Sequence, residues 1–142
     1  MECWIVGAAQ RPGEQAFADS LRTRAARLGL TQRVRFLGER RDVAHLMPAA
    51  DVYCQPGSRP ESFGVTFVEA LDAGLPVVTT AIGGALEIVD DRCGRLVPPD
   101  TPAALETALQ ELMRSEELRR RLGVAGPTRA RSRDAWISNS AT

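Results

Sequence analysis

The sequence predicts an α/β domain built on a parallel sheet with helices on both faces. Short apolar, β-branched segments alternate with helical segments along most of the 142 residues. That order is typical of parallel sheets, because parallel strands need long crossover connections. The unit from Gly57 to Gly84 joins a polar loop, a helix and a strand, and two glutamates stand near its loop. Ligands bind such sheets at the carboxyl ends of the strands, so we expect the functional site at that loop.

The first part of the chain predicts two strands around one helix. Residues 3–8 form an apolar strand that we expect to be buried. Residues 15–28 form an amphipathic helix that ends at Gly29. Residues 34–37 form a second strand that ends at Gly38. The helix's apolar face consists of Phe17, Leu21, Ala25 and Leu28.

The middle of the chain continues the alternation. A short helix capped by Asp42 precedes a third strand over residues 51–55. The helix from Ser62 to Ala73 is apolar on nearly every side, which indicates burial against the sheet. Two further strands follow, over residues 76–80 and 93–97, and a short helix or turn near residues 86–89 separates them.

The last part of the chain is predicted to be helical and then polar. A helix begins at Asp100 or Thr101, and a second runs from Ser115 until Gly123 ends it. We therefore predict one domain over residues 1–128. Residues 129–142 are a basic, polar tail that we expect to be poorly ordered. Its arginines fit a solvated surface better than contact with an anionic membrane, although the second interpretation stays open.

Composition and charge argue against several classes of protein. Basic and acidic residues number 18 each, so the formal net charge is zero, which argues against a nucleic-acid-binding protein. No apolar run approaches the roughly 20 residues that span a bilayer, and no secretory signal is recognisable, so a cytoplasmic protein is expected. We interpret Cys3, Cys54 and Cys93 as reduced core thiols, because they are odd in number and far apart. No metal-ligand spacing is present around His45 or elsewhere.

The loop before the central helix has the properties of a phosphate site. Ser62 is a suitable N-cap, which leaves the backbone amides of Phe63, Gly64 and Val65 as donors at a helix N-terminus. Gly64 has no Cβ and allows a ligand to approach the backbone.

Two carboxylates complete the predicted site. Glu61 precedes the helix, and Glu69 lies seven residues after Ser62 on the same helix face. A carboxylate there suits the vicinal hydroxyls of a ribose, and phosphate with sugar together indicate a nucleotide-sugar. Glutamates near a helix start also suit the helix dipole without any ligand, and spacing alone leaves both interpretations open.

These residues resemble the E-x7-E signature of the retaining GT-B glycosyltransferases of group 1, family 4. The family pattern has a glutamate, then Phe-Gly, then Glu-Ala, followed by small-Gly-x-Pro-Val-Val and Gly-Gly-x-x-Glu. The resemblance covers about residues 3–125. The matching residues are Glu61, Phe63, Gly64, Glu69, Ala70, Ala73, Gly74, Pro76, Val77, Val78, Gly83, Gly84 and Glu87.

The resemblance implies a Rossmann-like domain that forms the C-terminal, donor-binding half of a GT-B fold. Glu69 would then bind the donor ribose, and Glu61 would act as the catalytic residue beside the donor sugar. The amides from Phe63 to Val65 would approach the sugar and the diphosphate. The loop after Gly38 would border the base, and Arg59 is a candidate contact of the diphosphate. Such enzymes retain the anomeric configuration and use neither a metal nor a cofactor besides the nucleotide-sugar.

The chain also departs from the family pattern. Family members carry a Gly-Arg pair and a lysine just before the strand that matches residues 3–6, and an acceptor domain before that. Neither is in this sequence, so we expect the isolated chain to have little or no transferase activity. The alternative is a non-catalytic nucleotide-sugar-binding module or partner subunit. An epimerase and a nonfunctional remnant are further alternatives. The sequence does not distinguish a UDP-, GDP- or ADP-linked donor.

Overall fold

The structure, a computed structural model, describes residues 1–57 and 65–140 of the chain. Two compact units divide it, Met1–Val43 and Ala44–Thr142. The boundary between these units, after Val43, falls within the predicted domain of residues 1–128. Backbone pairing in the described residues follows the same division, because the strands form one two-stranded and one three-stranded sheet.

The first unit contains strand β1 (Cys3–Val6), helix α1 (Glu14–Arg27) and strand β2 (Val34–Gly38). The two strands pair in parallel. Local hydrogen bonds fix both ends of α1. The Glu14 carboxylate accepts from the amides of Gln10 at 2.6 Å and Arg11 at 2.9 Å, which lowers the pKa of Glu14. Gly29, with φ +69°, ends the helix as predicted.

The prediction that β1 is buried is wrong, and part of the apolar face of α1 is exposed as well. Trp4, Ile5 and Val6 are 38%, 36% and 39% exposed, and Phe17 and Leu28 are more than 60% exposed. A unit of one helix and two short strands has too little chain to enclose a core. The first unit therefore presents apolar side chains to solvent.

The second unit is built on a three-stranded parallel sheet in the order β3-β4-β5. Its central strand is buried along its whole length, as expected for a strand covered on both faces. A short helix α2 and a 3-10 turn (Met47–Ala49) lead into the sheet. The elements are α2 (Val43–Leu46), β3 (Tyr53–Gln55), α3 (Val65–Asp72), β4 (Val77–Thr80), α4 (Ala85–Ile88), β5 (Gly94–Val97), α5 (Pro102–Arg114) and α6 (Glu116–Ser140).

The core of this unit lies between the sheet and helices α3, α5 and α6. One cluster joins Val78 of β4 and Val97 of β5 to Ala108, Leu112 and Leu122 of the last two helices. Helix α3 contributes side chains that are almost fully buried, Phe67, Val68, Ala70 and Leu71. The apolar character that predicted burial of α3 is thus confirmed.

Helix α6 is longer than predicted, because Gly123 does not end it. A Cβ on Gly123 would lie 2.4 Å from the Gly74 carbonyl oxygen, and one on Gly126 would lie 2.5 Å from the Leu71 carbonyl oxygen. These glycines allow α6 to approach the α3 segment closely, so they serve helix packing. The helix continues past Pro127. The predicted tail, from residue 129 to Ser140, belongs to this helix.

The three cysteines differ in burial. Cys93 is buried, and burial raises the pKa of its thiol, whereas Cys3 and Cys54 are exposed. The prediction of three core thiols is therefore correct for Cys93 alone. In the part of the chain that the structure describes, no helix is both long and apolar enough to cross a membrane.

Candidate functional site

A cavity of about 110 Å³ opens at the carboxyl end of β3 and β4. This is the edge of the sheet at which the sequence predicts a site. Helices α3 and α4 contribute one side chain each to its wall. The lining residues are Gln55, Pro56, Gly57, Phe67, Thr79, Thr80, Ile82 and Ala85.

Gln55 links the three elements that meet at the cavity. Its side-chain oxygen Oε1 accepts hydrogen bonds from the Tyr53 hydroxyl and from Thr66 Oγ1, the latter at 3.0 Å. Its backbone carbonyl accepts from Thr79 Oγ1 at 2.8 Å. The last residue of β3 is thereby connected to the first turn of α3 and to β4.

A second polar contact holds the chain that leaves β3. The backbone amide of Gly57 donates to Thr80 Oγ1 at 2.9 Å. Thr79 and Thr80 are only 2% and 3% exposed, and both hydroxyls make hydrogen bonds with the segment that precedes residue 58. Buried hydroxyls need such partners, since a buried polar group without one is costly. Two adjacent threonines therefore fix the floor of the cavity.

Glu69, the predicted ribose ligand, lies on α3 with an exposed side chain. The same helix contributes Phe67 to the cavity, although Glu69 does not line it. Its exposed carboxylate is accessible to a hydroxyl-bearing ligand. Val65 is the first residue of α3.

The other predicted site residues are divided between two places. Gly38 ends β2 in the first unit with φ +70°, and its carbonyl accepts from the Gly7 amide at 2.8 Å. The remainder lie outside the described residues, and they are Arg59, Glu61, Ser62, Phe63 and Gly64.

Sequence reasoning missed the polar residues at the ends of β3 and β4. Gln55, Thr79 and Thr80 carry no motif, and they were predicted only as strand residues. A signal was nevertheless available, because each stands at or next to the carboxyl end of a strand in a parallel sheet.

Helix α4 contributes Ala85 to the cavity and begins after a Gly83-Gly84 turn, in which Gly83 has φ +58°. Arg129 of α6 donates to the carbonyl oxygens of Ile88 at 2.9 Å and Glu87 at 2.6 Å. Arg129, which the sequence predicts to lie in a solvated tail, therefore lies against this helix.

Asp90, just after α4, lies between two arginines. Burial alone would raise the pKa of its carboxyl group. Hydrogen bonds from the Arg92 side chain and backbone, together with the charges of Arg92 and Arg129, outweigh burial and lower the pKa. The carboxylate is therefore charged at neutral pH. Among residues 1–57 and 65–140, no group of three or more His, Cys, Asp or Glu side chains could hold a metal ion.

Comparison with solved structures supports the fold. The chain resembles Anabaena Alr3699/HepE in complex with UDP, with a TM-score of 0.89 and 30% identity over 99% of this chain and 40% of that chain. The same Anabaena protein in complex with UDP-glucose gives a TM-score of 0.77 and 31% identity over 99% of this chain and 40% of that chain.

Comparison of sequences identifies the family. The chain is 41% identical over 119 residues to a phosphatidyl-myo-inositol mannosyltransferase of Mycobacterium leprae. That match covers 82% of this chain and 31% of the relative, so the chain spans about a third of the relative's length. The family model for glycosyl transferases group 1 matches residues 1–129. The chain therefore belongs to the group 1 glycosyltransferases.

Proposed function

We propose that this chain is the donor-binding part of a retaining glycosyltransferase, and that the cavity at the end of β3 and β4 receives part of a nucleotide-sugar. The observation that carries the proposal is the position of the cavity at the carboxyl edge of a parallel sheet, beside the helix that bears Glu69. A structural relative with UDP or UDP-glucose in complex supports the same ligand class.

The proposed roles follow the chemistry of the donor. Glu69 binds the ribose hydroxyls, because a carboxylate accepts two hydrogen bonds at once. Glu61 contacts the hydroxyls of the transferred sugar. The backbone amides from Phe63 to Val65 approach the diphosphate. Arg59 is a further candidate contact of the diphosphate, and Gly38 borders the base.

The leaving group explains why amide donors suit this site. Sugar transfer breaks the bond between the anomeric carbon and the diphosphate oxygen, which leaves negative charge on the nucleoside diphosphate. Donors that are already oriented toward that charge stabilise the transition state more than the ground state. We propose that helix-end amides and basic side chains supply this stabilisation without a metal or cofactor, in the cytoplasm.

A thermal-shift panel tests the proposal on the purified chain. A ligand that binds only the folded state stabilises it by about 2.7 kcal/mol at a hundred times its dissociation constant. We expect one of UDP, GDP and ADP to raise the melting temperature, and the sugar-linked form of that nucleotide to do the same. The nucleotides with the other two bases should raise the melting temperature less. A folded chain that none of the six compounds stabilises would contradict the proposal.

A second candidate is a non-catalytic module that supplies the donor site to a partner domain. The exposed apolar side chains of β1, Trp4, Ile5 and Val6, favour it, because such a strand is suited to pack against further protein. Both candidates predict that the isolated chain binds the donor with little or no sugar transfer. Clear transfer by the isolated chain would exclude the second candidate.

A further inference from the structure

Helix α6 contacts both helices that border the cavity. Its backbone approaches α3 so closely that a Cβ on Gly126 would lie 2.5 Å from the Leu71 carbonyl oxygen. One turn later, Arg129 reaches α4. Since α3 provides Phe67 and α4 provides Ala85 to the cavity, one helix supports two of its walls.

The contact between Arg129 and α4 is specific in geometry. Nε donates to the Ile88 carbonyl at 2.9 Å and Nη2 donates to the Glu87 carbonyl at 2.6 Å, and Nη1 lies 4.0 Å from Asp90 Oδ2. The carbonyls of a helix's last turn have no partners within the helix, so these donors satisfy them. The planar fork of arginine can reach two adjacent carbonyls at once, which the ammonium group of lysine cannot reproduce.

Helix α4 needs such support because it is short. It comprises only Ala85–Ile88 and follows the Gly83-Gly84 turn. A single helical turn is not stable without tertiary contacts. Ala85 and Ile88 are buried, which fixes one face of the turn. At its carboxyl end, Arg129 donates to the Glu87 and Ile88 carbonyls, and the Cys93 thiol lies 4.0 Å from the Ile88 carbonyl oxygen.

We propose that Arg129 is a positioning residue that holds α4, and through it the Ala85 wall of the cavity, in the place where the donor binds. The proposal rests on the proposed function of the cavity. Arg129 is not one of the residues that line the cavity, so its effect on the donor is transmitted through α4.

The chain offers a matched control for this proposal. Arg92 pairs with the same Asp90, at 3.0 Å, but its side chain is 79% exposed. Its side chain donates hydrogen bonds to Asp90, which lies beyond the end of α4. Arg92→Ala therefore removes an arginine from the same cluster and leaves the carbonyls of α4 bound. Arg129→Lys keeps the positive charge but lacks the planar guanidinium group that donates to two adjacent carbonyls.

Hydrogen exchange without ligand measures whether Arg129 holds α4. The amides from Leu86 to Val89 donate to the carbonyls from Gly83 to Ala85, so their exchange reports opening of this turn. In Arg129→Ala we expect these amides to exchange about tenfold faster, with α5 unchanged. Arg92→Ala should resemble the wild type. Unchanged exchange in α4, or equal acceleration throughout the second unit, would overturn the proposal.

Calorimetry with UDP, GDP and ADP then measures the link to the donor. We expect the dissociation constant of the nucleotide that binds to rise about tenfold in Arg129→Ala, less in Arg129→Lys, and not in Arg92→Ala. Faster exchange in α4 with unchanged affinity would overturn the link to the donor. No binding by the wild type would overturn the proposed function and that link together, while the exchange result still decides whether Arg129 holds α4.

Discussion

Thr66 Oγ1 donates a hydrogen bond to Gln55 Oε1 at 3.0 Å, which joins the first turn of α3 to the end of β3. The two residues are 11 positions apart, and the predicted donor loop lies between them. The same Gln55 oxygen accepts from Tyr53, and the Gln55 carbonyl accepts from Thr79. Gln55 therefore connects the strand, the helix and the floor of the cavity.

Removing the Thr66 hydroxyl should weaken both the fold and the site. Thr66→Val keeps the shape and nearly the same helix propensity but cannot donate to Gln55. We expect unfolding free energy to fall by about 0.5 to 1 kcal/mol, because the bond is partly exposed. Nucleotide affinity should fall as well. Urea unfolding and calorimetry measure the two effects. Thr66→Ser keeps the hydroxyl, and a result equal to that of Thr66→Val would show that the hydrogen bond is unimportant.

Adding one methyl group at Gly126 should separate α6 from α3. Alanine is favoured over glycine in a helix by about 1 kcal/mol. In Gly126→Ala, however, the new Cβ would lie 2.5 Å from the Leu71 carbonyl oxygen, and the helices must move apart. We expect a net loss of about 2 kcal/mol in urea unfolding.

Val124→Ala is the matched control for this prediction, because Val124 lies on the same helix and is 73% exposed. It should change stability by no more than about 0.5 kcal/mol. A Gly126→Ala variant as stable as the control would show that the close approach of α6 to α3 is not required.

Asp90 should make stability depend on pH in the acidic range. Its pKa is lowered in the folded chain, so its charge stabilises the fold above the unfolded pKa, and this contribution is lost as pH falls through the folded value. We expect Asp90→Asn to cost about 0.5 to 1 kcal/mol near neutral pH, because the pairs are partly exposed. The difference from wild type should shrink at about pH 3, below the ordinary aspartate pKa. Urea midpoints at both pH values measure it, and an equal difference at both would contradict the assignment.

The alternation of strands and helices could be predicted because each of those segments carries its own signal. The β-branched run from Val77 to Thr80 is buried in β4, and Gly74, with φ +79°, follows the end of α3 as expected. Such features depend on residues that are close together along the chain, and the sequence shows these neighbours directly.

The errors arose where a residue's role depends on a distant partner. Gly123 is equally suited to end a helix or to let two helices meet, and only the position of the Gly74 carbonyl decides between these roles. Arg129 appeared to be one of several surface arginines, because the carbonyls that it binds are 41 and 42 residues away. The strand β1 has the composition of a buried strand, yet all four of its residues are exposed.

The candidate site was predictable in location and only partly in composition. Glu69 and the strand-loop-helix order predict the end of the sheet at which the candidate site lies. The polar residues of the cavity could not be predicted, because the hydrogen bonds from Thr79 to Gln55 and from Gly57 to Thr80 join residues 24 and 23 positions apart. Local patterns do not indicate which strand ends become neighbours.

The central claim is that this chain holds a nucleotide-sugar donor site organised around α3. Calorimetric titration of UDP, GDP and ADP into the wild-type chain and into Glu69→Ala tests this claim most directly. Glu106→Ala is the control, because it removes an exposed glutamate from α5 instead. We predict that one nucleotide binds the wild type and Glu106→Ala equally, and binds Glu69→Ala at least about tenfold more weakly, as expected for the loss of charge-assisted hydrogen bonds to a ribose. Equal binding by Glu69→Ala and the wild type would contradict the claim.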